Sequence, residues 1–270
     1  NVPVTLTGSM SFSGATNTVV QNAASYSLAA GTLAGSSSNT NYTIAFANVA
    51  NNAYVITPVT LSISASKVYD GTATFAGSAV TATTGIGTQT LTVSGTAVAN
   101  SPNVLGVSSL STSGLSLVDG SGLASNYVLP SSTSNVSITP KSISVSLVGI
   151  TKVYDTTTSA TLLAGTAANS GSYTISGFIS GDGAYITQTQ ATYNNANVAN
   201  ASTVTAVIGS SYVAKDSTVL SNYALPTTAS TASGGGVITP APLTMTANDA
   251  STFVGVAPTL TYQLTGLIGA

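Results

Sequence analysis

Repetition constrains this chain more than any other feature. An Asn-Tyr pair, a stretch rich in Ser, Thr and Ala, and an Ile-Thr-Pro tripeptide recur in that order three times. The copies run from Asn41-Tyr42 to Pro58, from Asn126-Tyr127 to Pro140 and from Asn222-Tyr223 to Pro240. After each proline, apolar residues alternate with Ser and Thr: Leu61, Ile63 and Ala65, then Ile143, Val145 and Leu147, then Leu243, Met245 and Ala247. A period of two sets one face of a strand on a core and the other in water. Proline has no N–H to give to a ladder, so Pro58, Pro140 and Pro240 belong between strands and are read as module boundaries.

Two of these strands lead into a second signature, Lys67-Val68-Tyr69-Asp70-Gly71-Thr72 and Lys152-Val153-Tyr154-Asp155-Thr156-Thr157. Asp-Gly marks a turn, because Gly accepts positive φ and Asp bonds its own backbone. The tyrosine ring can be buried while its hydroxyl keeps a partner. A third correspondence sets Asn100-Ser101-Pro102-Asn103-Val104 against Asn194-Asn195-Ala196-Asn197-Val198. Short alternating strands separated by turn signals predict an all-β chain of tandem immunoglobulin-like antiparallel β-sandwich modules. Thr, Val, Ser and Asn are poor helix formers. The alternative is a parallel β-helix, whose coils repeat at about 20–30 residues, well below the period here.

Composition removes most chemistry. Only 4% of residues are charged, with four Lys, no Arg, six Asp and no Glu, and His, Cys and Trp are absent. Zinc and copper lose their usual ligands, the common general base is missing, and neither a Ser-His-Asp triad nor a disulfide framework can form. Four scattered lysines and a net charge of −2 do not make a nucleic-acid surface. Mean hydropathy is positive, yet apolar residues alternate with polar ones and Gly interrupts often, so no membrane span is expected. Asn1 begins in the middle of a pattern, which reads as an internal cut or a processed end.

The elements Lys-Val-Tyr-Asp-Gly-Thr at Lys67, Asn-Val at Asn103, Asn-Tyr-x-Leu at Asn126 and Asn222, and Ile-Thr-Pro at Pro140 and Pro240 resemble the YDG repeat of large filamentous-haemagglutinin-like bacterial exoproteins. Thr156 stands where the motif has Gly. Residues 243–251, Leu-Thr-Met-Thr-Ala-Asn-Asp-Ala-Ser, resemble the opening of the companion MBG repeat, with Phe253 where that repeat often has Tyr. The expected organisation is therefore a closing half of an MBG-like module at 1–58, YDG-like modules at 59–140 and 141–240, and an opening half of an MBG-like module at 241–270. The resemblance implies an extracellular, β-rich stalk or array and carries no catalytic residues.

The structural candidates are Tyr69, Asp70, Tyr154, Asp155, Asn126, Tyr127, Asn222, Tyr223, Pro58, Pro140 and Pro240, read as buried turn and corner tyrosines with their partners and as module junctions. Asp119-Gly120 and Asp182-Gly183 are read as turns, because a tight calcium site gathers several carboxylates and these are dispersed. No catalytic, metal or cofactor site is expected. The expected function is a non-catalytic structural segment or subunit of a secreted bacterial filament, stalk or sheath, possibly joined head to tail by strand complementation. Its partners would be copies of itself or neighbouring repeats of one long chain. The alternative is an adhesin module that binds host or surface glycans through tyrosines such as Tyr42.

Overall fold

The computed structural model describes residues 4–12, 20–37, 39–47 and 54–269; Asn1 and residues 48–53 of the first Asn-Tyr to Ile-Thr-Pro interval lie outside them. The chain is all-β and built of β-sandwich modules, with no α-helix, closed barrel or solenoid among the described residues. The β-helix alternative is thereby set aside. No described helix is long and apolar enough to cross a membrane. There are two compact units, one of Asn1–Lys67 with Thr72–Ile138 and one of Val68–Gly71 with Thr139–Ala270.

In the first unit, the alternation read from the sequence becomes burial. Leu61, Ile63 and Ala65 are buried, while Ser62 and Ser66 between and beyond them are exposed. The strand Ser62–Val68 runs between Val80–Thr83, antiparallel to it, and Val136–Thr139. Facing them, Leu91–Ala99 pairs antiparallel with Thr74–Ala76, Leu110–Ser111 and Leu115–Asp119. Phe75, Val93, Ala97 and Leu110 are buried along with Leu61 and Ile63, and each large apolar side chain so buried contributes roughly 1.5–3 kcal/mol.

The second unit repeats this order. Ser144–Leu147 pairs antiparallel with Tyr173–Ser176, and Ser159–Thr161, Gln190–Tyr193, Val204–Val207 and Thr228–Ser230 make a four-stranded antiparallel sheet. The core gathers Leu147, Leu162, Tyr173, Ile186, Tyr193, Val204, Ile208 and Ile238.

Beside these antiparallel sheets, parallel pairs occur among the described residues. Val59–Thr60 lies parallel to Tyr127–Val128, Lys141–Ser142 to Tyr223–Ala224, and Ile150–Val153 to Gly236–Thr239. A parallel pair needs a long crossover, and most of a repeat separates the strand after each proline from the strand that follows Asn-Tyr.

The terminal segments are thinner. Val4–Thr7 pairs with Ala34–Ser37 and Ala24–Tyr26 with Tyr54–Ile56. Thr244–Ala247 pairs with Tyr262–Thr265, and every residue of both strands is exposed. Leu243 and Met245, which the alternation assigns to a core face, are exposed as well.

Candidate functional site

Each Lys-x-Tyr-Asp turn is organised by its lysine. Lys67 donates through Nζ to the carbonyl and Oγ1 of Thr72 and to the carbonyl of Thr74, at 2.8–2.9 Å. Lys152 donates in the same way to the carbonyl and Oγ1 of Thr157 and to the carbonyl of Ser159, and it donates to the Asp155 carboxylate at 2.7 Å. An ammonium has three protons to give, and turn oxygens take them. Asp155 in turn accepts the Thr157 N–H and hydroxyl. The Lys152 bond first, and the two Thr157 bonds next, hold the Asp155 carboxyl at about 2, well below its ordinary value. Both aspartates of the motif, Asp70 and Asp155, are exposed. They are turn formers at the surface.

The paired Asn-rich elements form a second repeated device. Asn100 Oδ1 accepts the N–H groups of Ser108 and Ser109, and its Nδ2 donates to the Gly106 carbonyl and to Ser108 Oγ. Asn194 reproduces all four bonds with Ser202, Thr203 and the Asn200 carbonyl. One planar amide offers acceptor and donors in the geometry that closing such a loop requires.

The Asn-Tyr pairs form the third device, a socket. A short 3₁₀ turn, Ala124–Asn126 or Leu220–Asn222, delivers Tyr127 or Tyr223 into its parallel strand. Both rings are buried. The Tyr127 hydroxyl donates to Gln89 Oε1, and the Tyr223 hydroxyl donates to Asp182 Oδ2. The two acceptors are equivalent. Gln89 N–H bonds the Ile86 carbonyl and Asp182 N–H the Ile179 carbonyl, so each closes a turn three residues after an isoleucine. The sequence did not single out Gln89 or the acceptor role of Asp182. The only signal was this Ile-x-x-Gln/Asp spacing, and it lies inside turns of different composition. Asp119, the other carboxylate of the Asp-Gly turns, accepts the Ala124 N–H at 2.7 Å and so starts the 3₁₀ turn of the first unit.

The socket of the second unit is filled by Tyr69. Val68–Gly71 belongs to that unit, although its motif belongs in sequence to the first repeat. The Tyr69 ring meets the Tyr223 ring edge-on at 5.3 Å, and Phe178 meets Tyr223 from another side at 4.6 Å. Tyr69 N–H bonds the Thr139 carbonyl, and its hydroxyl points at Asp182 Oδ2, 3.5 Å away. Asn222 is fully buried beside it. Burial pushes the Tyr69 hydroxyl up and the Asp182 charge adds to this, opposed by a bond from Asn222. Burial and the Asp182 bond raise Tyr223 further. Both phenols therefore remain donors at neutral pH, and the one carboxylate is taken up by them.

The equivalent socket of the first unit holds main chain from the terminal segment. Asn126 Oδ1 accepts the Ala23 N–H at 2.7 Å, and Asn126 Nδ2 donates to Asn22 Oδ1 at 3.0 Å. Ala23, Ile56, Val59 and Ile86 line one cavity together with Tyr127 and Gln89. Of the remaining candidates, Tyr154 is half-buried in a cleft with Pro240, Leu243, Leu267 and Ile268. Pro58 and Pro140 each stand between two strands, and Pro240 directly follows Gly236–Thr239. Tyr42 is 61% exposed.

No curated protein and no solved structure matches the chain. A family model described as the YDG domain matches it twice, at residues 51–135 and 139–232, more than half of its length. Those two stretches carry the lysine turns, the Asn latches and the tyrosine sockets, and the chain belongs to the YDG domain family.

Proposed function

We propose that this chain is a non-catalytic structural segment of a secreted, filamentous-haemagglutinin-like bacterial surface protein, serving as part of a filament, stalk or sheath. The observation that carries this reading is the use to which its few reactive groups are put. Lys67 and Lys152 close turns, Asp119 and Asp155 hold turns, and Asp182 accepts from two tyrosines. Side chains of the kind that elsewhere perform chemistry are here spent on joining and stiffening repeats. With 4% charged residues, the outer surface carries little of the charge that normally keeps monomers apart, which suits dense packing beside identical neighbours. MBG-like flanking segments fit the same reading, as companions in a longer array.

Surface labelling of intact cells of the native host tests this. An antibody against residues 59–240 is expected to decorate extracellular fibres or the cell surface in electron micrographs. Labelling confined to the cytoplasm of opened cells would overturn it.

A further inference from the structure

The two repeats share a frame, and the second departs from it at three places that meet in one cleft. Register fixes which positions correspond. Val93 pairs with Leu117 and Ile186 with Tyr212. Val93 and Ile186 are both buried, and each has a glycine against its backbone: a Cβ on Gly77 would lie 2.7 Å from the Val93 carbonyl, and one on Gly165 3.1 Å from the Ile186 carbonyl. Thr92, which pairs with Val118, therefore corresponds to Tyr185, which pairs with Val213. Two residues after these partners stand Gly120 in the first repeat and Lys215 in the second.

The first departure is thus Tyr185 for Thr92. The second is Lys215 for Gly120, and it comes with a reciprocal exchange. In the first repeat a Cβ on Gly120 would fall 2.4 Å from the Thr90 carbonyl. In the second, Gly183 stands where Thr90 does, Lys215 N–H bonds its carbonyl, and the bare Gly183 backbone leaves the lysine stem room to lie alongside. The third departure is a connection. Thr74–Ala76 reaches Val80–Thr83 through the single 3₁₀ turn Gly77–Ala79, whereas Ser159–Thr161 reaches Tyr173–Ser176 only through residues 162–172. The fold needs none of the three, because the first repeat closes without them.

Together they line a cavity of about 230 Å³, with Thr166, Asn169 and Ser170 from the longer connection opposite Tyr185 and Lys215. The connection is tied to itself. Thr166 Oγ1 accepts the Ala168 and Asn169 N–H groups, Thr166 N–H bonds the Asn169 carbonyl, and Asn169 Oδ1 accepts the Gly171 N–H. The functional ends are left over. Lys67 and Lys152 give their protons to turn oxygens, but Lys215 Nζ makes no hydrogen bond or ion pair among the described residues, with the adjacent Asp216 included. Asn169 Nδ2 and the Ser170 and Tyr185 hydroxyls are likewise uncommitted among the described residues.

We infer that this cleft of the second repeat binds a carboxylate-bearing sugar. The Lys215 ammonium pairs with the carboxylate, the half-buried Tyr185 ring takes the apolar face of the pyranose, and the Asn169 amide with the Ser170 hydroxyl meets ring hydroxyls. One cation selects one carboxylate, and the cavity is below the range of about 300–1,000 Å³ that holds drug-sized ligands, which suits a single sugar ring. The site adds a contact to the structural role proposed above and stands independently of it.

Titration of the ¹⁵N-labelled 270-residue chain with methyl glucuronide, followed by amide shifts, tests the site. Saturable shifts confined to residues 165–171, 183–186 and 213–216 are expected, and none with methyl glucoside. Lys215→Gln should weaken binding about tenfold or more. Tyr185→Thr, which installs the side chain that the first repeat carries there, should weaken it about threefold, with the circular dichroism spectrum unchanged for both. A methyl sialoside titrated in parallel identifies the acid sugar as whichever saturates at the lower concentration. Shifts that never saturate with either acid sugar, that survive Lys215→Gln, or that acetate or an N-acetylglutamate amide reproduces equally would overturn the site.

Discussion

Beneath the lysine of the first repeat lies Phe75, its ring centroid 5.0 Å from Lys67 Nζ; beneath the lysine of the second lies Tyr193, 5.4 Å from Lys152 Nζ. The two rings come from different strands. Phe75 pairs with Ala97 and has Ala99 two residues further along that strand. In the second repeat, Ala160 stands where Phe75 does and pairs with Ala191, and Tyr193 stands where Ala99 does. Large and small have changed places across a diagonal, with the summed volume nearly kept. Cores tolerate such exchanges because packing density, not the origin of the ring, is what must be conserved. The exchange lets the Tyr193 hydroxyl bond the Ile150 and Val237 carbonyls, at the point where the second repeat splits into Ser144–Leu147 and Ile150–Val153 what the first keeps as one strand, Ser62–Val68.

The comparison predicts its largest effects at these rings. Phe75→Ala and Tyr193→Ala should each cost about 3–5 kcal/mol in denaturant unfolding of the whole chain. Restoring bulk from the other strand, Ala99→Phe on the Phe75→Ala background, should recover at least half of the loss. A double variant no more stable than Phe75→Ala would break the diagonal account. The Asn latches come next. Asn100→Ala and Asn194→Ala each strand two backbone N–H groups, and should lose about 1–2 kcal/mol apiece, alike in both repeats; a clear inequality would show that one loop closes by other means.

Smaller again is the exchange at the motif's fifth residue. Gly71 has φ 82° and Thr156 has φ 68°, a region that strains a β-branched residue. Thr156→Gly should stabilise by about 0.5–1 kcal/mol. Gly71→Thr should destabilise, its Cβ falling 2.6 Å from Ile179 Cδ1. The smallest effect is the acid response of the second lysine turn. Because the Asp155 carboxyl is held at about 2 by Lys152 and Thr157, its contribution to stability is complete above the unfolded value of about 4 and fades as pH falls toward about 2. Carboxyl resonances followed by NMR should place the Asp155 titration there; a titration near 4 would mean that the Lys152 bond is not held in solution.

What repeats along the chain was legible from it. Ile-Thr-Pro, Asn-Tyr and Lys-x-Tyr-Asp recur with their order intact, and the alternation of Leu61, Ile63 and Ala65 gave both strand and buried face. Asn100 and Asn194 were matched by their neighbours, though nothing local announced four bonds from one amide. What changes identity between repeats was not legible. Gln89 and Asp182 do the same work with different side chains, and the ring moves from Phe75 to Tyr193 because only cross-strand geometry makes those positions equivalent. The parallel pairs were missed for a related reason: period-two patterning fixes a strand's faces and says nothing of its neighbour's direction.

Those parallel pairs have a mechanical consequence. In the second repeat the entering strands Lys141–Ser142 and Ile150–Val153 lie alongside the late strands Tyr223–Ala224 and Gly236–Thr239. Tension applied where the chain enters and leaves the repeat draws these neighbours past each other lengthwise. Their cross-strand bonds are then loaded together in shear, whereas a hairpin pulled from its open end unzips one bond at a time. A repeat wired in this way resists stretching with its whole edge.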